Sequence, residues 1–426
     1  MSLDRKTAPV LRGIEDVPFG MPESTELSGG NKLFYYNDSD LEVVKVELSF
    51  AAGSSISEGP LAAHLVNGLI TSGTSKWSQA EIAEKIDSYG AFLERNVGLD
   101  TASITVYSLR KYMVEVLEIL AEVLEDCTFP EDEFSNSIRV RRQKFLVNRE
   151  KVATMCRRRF SRELFGNHPY SAETELEDFD RAKVDDVRET YGSRYSAPPL
   201  ILAAGIVDDE LIKTIDRLFG QGQSAQYTVS GLEEVPASDS KRVVEEKKGA
   251  VQSALRMGKI LFNRNHPDFA EMQFVNTVLG GYFGSRLMSN IREDKGYTYG
   301  IGSGIIPLQK GGYFFISTEV GANVTLAAEK EIRFELDRLR QEKVPLHEME
   351  TVRQYMLGQL LRSTDGVFNL IDRFRAHHIF GQKDKDFHEG IDKIRAIDAD
   401  GVLNLAQTHL DPESMVVVVA GDESSL

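Results

Sequence analysis

The chain has 426 residues, which is long enough for two to four domains with their own hydrophobic cores. Its hydrophobic content of 41% is ordinary for a globular protein, so disorder of the whole chain is excluded. The net charge of −16 argues against a nucleic-acid-binding protein, which would normally carry a basic balance or a basic stripe. Two cysteines, Cys127 and Cys156, are too few for a scaffold built on disulfides.

The apolar runs and the first residues indicate where in the cell the protein is expected. No apolar run approaches the roughly 20 residues that a membrane helix needs. The first residues, MSLDRKTAPVLRG, contain no apolar segment after the basic residues, so no signal peptide is visible. We therefore expect no membrane partner and a cytoplasmic location. A removed leader in front of this start, and with it a periplasmic location, stays open.

The elements predicted for the first half alternate between strands and helices. Residues 1 to about 30 look irregular, and they are followed by two strand pairs, 32–36 with 41–51 and 91–97 with 102–109. A buried strand is predicted at 200–207. The predicted helices are 59–72, 79–89, 113–126, 130–149, 153–165 and 184–195. Helices interleaved with hairpins are typical of an α+β fold.

The chain then repeats itself at a fixed spacing. The pairs that are each separated by 215 residues are Pro130 and Pro345, Gly166 and Gly381, and Val187 and Val402. One spacing shared by three pairs predicts a duplicated domain. We assign residues 1–220 to a first α+β domain and residues 250–426 to a second. Residues 221–249, with Gly, Ser, Pro and dense charge, are predicted to be a linker.

The segment 280–304 reads GGYFGSRLMSNIREDKGYTYGIGSG and is the most distinctive stretch of the second half. Its apolar residues have helical spacing over about 285–293, and the glycines that follow indicate a turn into an extended segment. Arg292 near the helix end and Tyr299 beyond the turn could therefore face the same space. On spacing alone, the simpler interpretation is favoured, in which Arg292 pairs with a surface carboxylate and Tyr299 packs in a sheet.

This segment also resembles the substrate-binding segment of the pitrilysin/insulinase family of zinc metallopeptidases, which includes the mitochondrial processing peptidases. The matching positions, in order, are Ser285, Arg286, Leu287, Ile291, Arg292, Glu293, Gly296 and Tyr299. The resemblance implies two similar α+β domains in one chain. It also implies that Arg292 and Tyr299 hold a peptide substrate against a zinc centre in another domain.

Family members that cleave peptides carry His-x-x-Glu-His on a helix of the first domain, followed by Gly-Thr. Two histidines four residues apart share a helix face and can bind one zinc ion, while the glutamate serves as general base. Gly73-Thr74 sets the register here, so that His64 matches the first histidine, Asn67 the glutamate and Gly68 the second histidine. An amide is no general base near neutral pH, and glycine has no ligand atom.

The later helix offers no replacement ligand. Residues 135–149 contain no carboxylate and several cations, which would repel a divalent ion. We therefore predict no metal in this chain and interpret His64 as a satisfied histidine on a half-buried helix. The basic residues within 139–162 are interpreted as a solvated helix face, with a docking surface for an acidic partner or peptide as the alternative. The adjacent His377 and His378 point to different helix faces and are predicted to be structural.

These departures from the family pattern predict a non-catalytic, substrate-binding subunit of a two-chain zinc metallopeptidase. A homologous partner with the intact motif would hold the zinc, Arg292 and Tyr299 would bind the peptide substrate, and this chain alone would be inactive or pair with itself. The alternative is a scaffold or peptide-binding protein of the same fold without a peptidase role. The short loop at 280–284 departs from the longer glycine-rich loop of the mitochondrial non-catalytic subunit, so substrate feeding of that kind stays open.

Overall fold

The computed structural model describes residues 13–14, 17–57, 59–222 and 232–425. Over these residues the chain forms two α+β units, each a mostly antiparallel sheet with helices packed against it. The predicted fold class is therefore confirmed. Within the described ranges, no helix is both long enough and apolar enough to cross a bilayer.

The first unit contains a six-stranded sheet in the order β1-β2-β6-β3-β5-β4. The strands are β1 Glu23–Glu26, β2 Lys32–Asn37, β3 Val43–Phe50, β4 Phe92–Val97, β5 Ala102–Leu109 and β6 Leu200–Gly205. The helices are α1 Pro60–Leu69, α2 Gln79–Ser88, α3 Arg110–Glu125, α4 Glu131–Arg149, α5 Val152–Phe165, α6 Leu176–Arg181, α7 Val184–Arg194 and α8 Asp209–Phe219.

The second unit contains a five-stranded sheet in the order β7-β11-β8-β10-β9. The strands are β7 Lys241–Glu246, β8 Gln252–Leu261, β9 Thr298–Leu308, β10 Gly311–Gly321 and β11 Val416–Gly421. The helices are α9 Phe269–Asn276, α10 Thr325–Gln341, α11 Leu346–Arg362, α12 Val367–His378, α13 Asp384–Ala396 and α14 Ala399–His409. Two wider, π-helical segments cover Thr277–Gly281 and Met288–Asp294.

The two units share one topology. The order β7-β11-β8-β10-β9 repeats β2-β6-β3-β5-β4, and in each sheet one pair is parallel, β7 with β11 and β2 with β6. The helices also keep the spacing of 215 residues, since α10, α11, α12 and α14 begin that far after α3, α4, α5 and α7. The predicted duplication is confirmed.

The predicted pairing of the first two long strands is wrong. β2 and β3 exist, but β6 lies between them, parallel to β2 and antiparallel to β3. The six residues of β6 are apolar or small and all are buried, so this strand takes a central position although it comes late in the chain. β1 is a further strand, within the region that was predicted to be irregular.

The predicted linker is also wrong in part. Residues 241–246 form β7, which pairs with β11 at the edge of the second sheet, so the second unit begins before residue 250. The sequence KRVVEE is highly charged, but an edge strand tolerates charge because one side of it faces water. Residues 223–231 of the predicted linker lie outside the described residues.

The two units exchange one helix each, which the domain division at 1–220 and 250–426 did not foresee. α5 of the first half packs on β8 and β11, where Phe160 and Leu164 join Val416 and Val418 in one apolar cluster. α12 of the second half packs on β2 and β6, with Phe374 in the cluster that contains the buried side chains of β6. Each fully buried side chain of this kind contributes about 1.5–3 kcal/mol. The exchange therefore ties the two units firmly together.

Candidate functional site

The helix expected to carry a metal site is α1, and its first candidate ligand is His64. α1 is half-buried as predicted, and His64 lies on its exposed side, where it lines a cavity of about 390 Å³. Although part of its surface is accessible, enough protein surrounds the ring to lower the pKa of His64, and the Arg141 cation lowers it further. A neutral imidazole could ligate a metal, so whether a metal can bind here depends on the groups around His64.

The neighbours of His64 are arginines. Nη2 of Arg141, on α4, donates to the His64 carbonyl oxygen at 3.0 Å. A Cβ atom placed on Gly68 would lie 2.4 Å from the same Nη2, so the guanidinium fills the space into which a second histidine would project. Nη1 of Arg95, on β4, donates to the Gly68 carbonyl oxygen at 3.0 Å and to the Thr71 hydroxyl at 2.6 Å. Burial lowers the pKa of both guanidinium groups.

Asn67, at the position of the catalytic glutamate, is part of the core. It is buried, and its Nδ2 lies 3.4 Å from the Ser103 carbonyl oxygen and 3.3 Å from the Tyr195 hydroxyl. Burial raises the pKa of Tyr195 to about 12, so its hydroxyl stays neutral near pH 7. Asn67 therefore connects α1 to β5 and to the end of α7.

These residues do not fit a zinc ion. A zinc site needs three or four His, Cys or carboxylate ligands around one point, whereas the Arg141 guanidinium lies beside His64 and Arg95 bonds to the backbone of Gly68 on the same helix. No group of three or more such ligands occurs among the residues that the structure describes. The interpretation of the basic residues as a solvated face needs one correction, since Arg141 points at α1 and is largely enclosed.

The segment that carries Arg292 and Tyr299 is held in place by close packing. The predicted helix forms, but as the π-helical segment Met288–Asp294, with Leu287 and Ile291 fully buried. Gly280 must be glycine, because a Cβ atom there would lie 2.5 Å from the Ser303 hydroxyl of β9. Gly296 ends the helical segment with a φ of 65°, which favours glycine.

Arg286, a position of the family match, anchors this segment to α11. Its Nε and Nη2 donate to the two carboxylate oxygens of Glu348 at 2.8 and 2.9 Å. The Arg286 side chain is only 6% exposed, and that of Glu348 is 21% exposed. A two-pronged, mostly buried pair of this kind fixes orientation as well as contributing energy.

Arg292 and Tyr299 meet, as the sequence predicts, and an aromatic side chain joins them. The Arg292 guanidinium lies 5.7 Å from the centroid of the Tyr299 ring and 4.6 Å from that of Phe283. Tyr299 is 93% exposed and Phe283 is 63% exposed. Arg292 has no hydrogen bond or ion pair to any residue that the structure describes, so the expected surface carboxylate is not its partner. Tyr299 belongs to β9, but its side chain is exposed and does not pack against the sheet.

Phe283 is the residue of this cluster that the sequence did not indicate. It lies in the short loop at 280–284, where two aromatic residues replace part of a longer glycine-rich loop. The aromatic residues of that loop separate, because Tyr282 packs on Tyr355 at 4.9 Å between ring centroids while Phe283 stays exposed beside Arg292. The departure of this loop from the family pattern was the available signal in the sequence.

Tyr299 also lines a cavity of about 660 Å³ between α5 and the second sheet. Arg157 of α5, Arg256 of β8 and Glu319 of β10 line it as well. The cavity at His64 is lined by the same two arginines, so the two cavities adjoin. His64 and Tyr299 therefore line adjoining cavities.

Comparisons with known proteins agree with this picture. The family model "Insulinase (Peptidase family M16)" matches residues 33–176, and "Peptidase M16 inactive domain" matches residues 181–356. The uncharacterized zinc protease YmxG of Bacillus subtilis is 25% identical over 350 residues, covering 81% of this chain and 84% of that protein. The non-peptidase homolog YmxG of Helicobacter pylori is 23% identical over 265 residues, 60% of each. The M16 inactive domain structure from Pseudomonas fluorescens superposes with a TM-score of 0.85 at 21% identity, covering 94% of this chain and 98% of that one.

Proposed function

The chain belongs to the M16 (insulinase) peptidase family, and from that premise we propose that it is the substrate-binding, non-catalytic subunit of a two-chain zinc peptidase. The observation that carries the proposal is the cluster of Phe283, Arg292 and Tyr299, an unpaired cation between exposed aromatic rings. The cavity that Tyr299 lines adjoins the one beside α1, where the Arg141 guanidinium fills the space of the second zinc-binding histidine and Asn67 replaces the general base. On this proposal, the chain has kept the peptide-binding function of the family site and has lost the zinc-binding function.

Arg292 and Tyr299 would act as hydrogen-bond donors to a peptide. A guanidinium presents donors in a fixed plane, and a phenol adds one more, so together they can grip the carbonyl oxygens of an extended chain. Donors placed in this way orient the scissile bond or stabilise negative charge that develops on its oxygen. The partner subunit would hold the zinc ion, which supplies the activated water. The cytoplasmic location of the pair stays a prediction.

A pure scaffold role accounts less well for this cluster. An arginine kept for stability normally has a carboxylate partner, as Arg286 has in Glu348. Arg292 has only two ring contacts, and both rings are largely exposed. Large exposed aromatic side chains around an unpaired arginine are typical of recognition surfaces. The scaffold alternative is kept as an outcome of the experiments.

The proposal is tested by recovering the complex from the organism that makes this chain. We expect a co-purifying homologous chain with an intact His-x-x-Glu-His motif, and about one zinc ion per pair by metal analysis. The chain purified alone should contain no tightly held zinc. His64→Ala serves as control and should leave the zinc content of the pair unchanged. About one zinc ion on the isolated chain, lost in His64→Ala, would contradict the proposal.

A further inference from the structure

A third cavity, of about 720 Å³, lies in the second unit. Its walls come from α9, α11, α12 and α13. Since α9 follows β8 as α1 follows β3, and α12 corresponds to α5, it takes the place in the second unit that the cavity at His64 takes beside the first. We call it the basic pocket and define it by Arg264, Arg373, His377, Phe380, Gln382 and Phe387. A volume of this size is within the range of small-molecule sites.

Two guanidinium groups face the basic pocket without a counter-ion. Arg264 lies over two aromatic rings, 5.5 Å from the centroid of Phe269 and 5.9 Å from that of Phe380. Its side chain forms no hydrogen bond or ion pair with the described residues. Arg373 donates to the Ser363 hydroxyl and lies 5.6 Å from the centroid of Phe387. No carboxylate within the described ranges comes within 4.0 Å of either guanidinium.

The positive charges of Arg264 and Arg373 lie in an unfavourable environment. Burial lowers the pKa of Arg264 to about 10, and repulsion from Arg373 contributes to this. Burial also lowers the pKa of Arg373. Both side chains are half-buried. A cation withdrawn from water costs free energy unless it is paired, and two neighbouring unpaired cations add repulsion to that cost. An anion between them would relieve both the burial and the repulsion.

His377 supplies a third polar group. Both of its ring nitrogens are buried and have no partner with hydrogen-bond geometry, although Gln382 lies near enough to influence the ring. Burial first, and then the cations of Arg264 and Arg373, lower the pKa of His377 to about 3, so its ring is neutral at physiological pH. A neutral imidazole carries one N–H and can donate it to an anion.

The carboxylates near the basic pocket do not neutralise it. Asp386 and Glu389 line the cavity, but neither forms an ion pair with a described residue. Asp386 accepts a hydrogen bond from the Lys383 backbone N–H at 2.6 Å and so caps α13. Lys393 at the rim adds another positive charge and donates to the Pro267 carbonyl oxygen.

We propose that the basic pocket binds a small molecule through an oxyanion group, held between Arg264 and Arg373 with His377 as a further donor. Guanidinium groups match the geometry of phosphate and carboxylate oxygens, and they bind them by short, charge-assisted hydrogen bonds. The rings of Phe380 and Phe387 offer apolar surface to the rest of such a molecule. Arg292 does not line the basic pocket.

Titration calorimetry on the full chain tests the inference, with inorganic phosphate and succinate as probes at an ionic strength fixed by sodium chloride. We expect saturable binding of one anion per chain by at least one probe, and the probe that binds identifies phosphate or carboxylate chemistry. Arg373→Gln should weaken binding by at least tenfold, because it removes a charge-assisted contact. The matched control is Arg217→Gln, an exposed arginine on α8, which should bind like wild type.

A melting curve separates a ligand site from a structural role. Without ligand, Arg373→Gln should unfold no earlier than wild type, because it removes the repulsion with Arg264. The bound anion should raise the melting temperature of wild type and not that of the variant. Arg264→Lys keeps the charge but not the planar fork, and it should also bind at least tenfold more weakly. Absence of saturable binding by both probes, or equal binding by wild type and Arg373→Gln, would overturn the inference.

Discussion

The two regions that the family uses for catalysis have diverged in opposite directions in this chain. At α1, His64 is exposed, but Asn67 is bonded within the core, and Arg141 and Arg95 bond to the backbone of the helix. At the π-helical segment, Arg292 has ring contacts only and Tyr299 is almost fully exposed.

The difference is the one expected if the metal site has been lost and the peptide site is retained, as proposed. A buried polar group without a hydrogen-bond partner costs about 1–3 kcal/mol of stability. Side chains that no longer serve catalysis are therefore expected to form hydrogen bonds within the fold. A group that must bind a ligand cannot acquire such a partner without losing its function. The contrast between Arg141, which is bonded internally, and Arg292, which is not, therefore supports loss of metal binding together with retention of peptide binding.

The largest effect on stability is expected from the pair that positions the π-helical segment. Arg286→Ala would leave the Glu348 carboxylate half-buried without its partner, at a cost of about 3 kcal/mol, the lower end for a broken buried pair since Glu348 is 21% exposed. Urea unfolding measures it. Arg217→Ala breaks an exposed pair with Glu118 and should cost less than about 1 kcal/mol. Equal losses in the two variants would show that Arg286 is no anchor.

A smaller effect is expected at the core position on α1. Asn67→Asp would bury a carboxylate beside the Ser103 carbonyl oxygen and should destabilise the fold by about 1–3 kcal/mol near neutral pH. Burial should raise the folded-state pKa of the new carboxyl above its unfolded value. The loss should therefore be larger at pH 8 than at pH 5, where more of the carboxyl is protonated.

Asn136→Asp, at an exposed position of α4, is the matched control for that substitution and should change stability by about 0.5 kcal/mol or less at either pH. Thermal unfolding of both variants at pH 5 and pH 8 gives the comparison. If Asn67→Asp were as stable as wild type at pH 8, Asn67 would not be the structural residue inferred for α1.

The smallest effect is expected from the aromatic neighbour of Arg292. Phe283→Ala removes the closer ring from the Arg292 guanidinium, a contact of about 0.5–1 kcal/mol at an exposed position. Because this ring helps to hold Arg292 in place for the peptide, KM should rise about two- to fivefold. The kcat of the assembled pair and the melting temperature should stay near wild type. Phe334→Ala, another exposed phenylalanine, should change neither constant. An unchanged KM for Phe283→Ala would remove Phe283 from the site.

Local pattern predicted most of the elements and the proximity of Arg292 and Tyr299, because helix ends, glycine turns and strand alternation are determined by near neighbours. The repeated spacing of 215 residues predicted the duplication. The insertion of β6 between β2 and β3 and the exchange of α5 and α12 were missed. Both depend on contacts between residues that lie far apart in the sequence, on which local periodicity carries no information.

In the candidate site, too, local features could be predicted from the sequence and tertiary contacts could not. The missing ligands at Asn67 and Gly68 and the unfavourable cations on α4 could be recognised from the sequence. That Arg141 in particular fills the space beside Gly68 depends on how α4 crosses α1, and that crossing is a tertiary feature. Phe283 was visible only as a departure from the family loop, and its role follows from its distance to Arg292.

The most direct test of the central claim is the rate of peptide cleavage by the assembled pair with Arg292→Ala in this chain. A quenched-fluorescence peptide gives the rate, and a melting curve of each variant controls for folding. We predict a loss on the order of 10²-fold for Arg292→Ala, a smaller loss for Tyr299→Phe, and melting within about 0.5 kcal/mol of wild type for both. Arg217→Ala should cleave like wild type. Cleavage at the wild-type rate by a folded Arg292→Ala pair would contradict the account and favour the scaffold alternative.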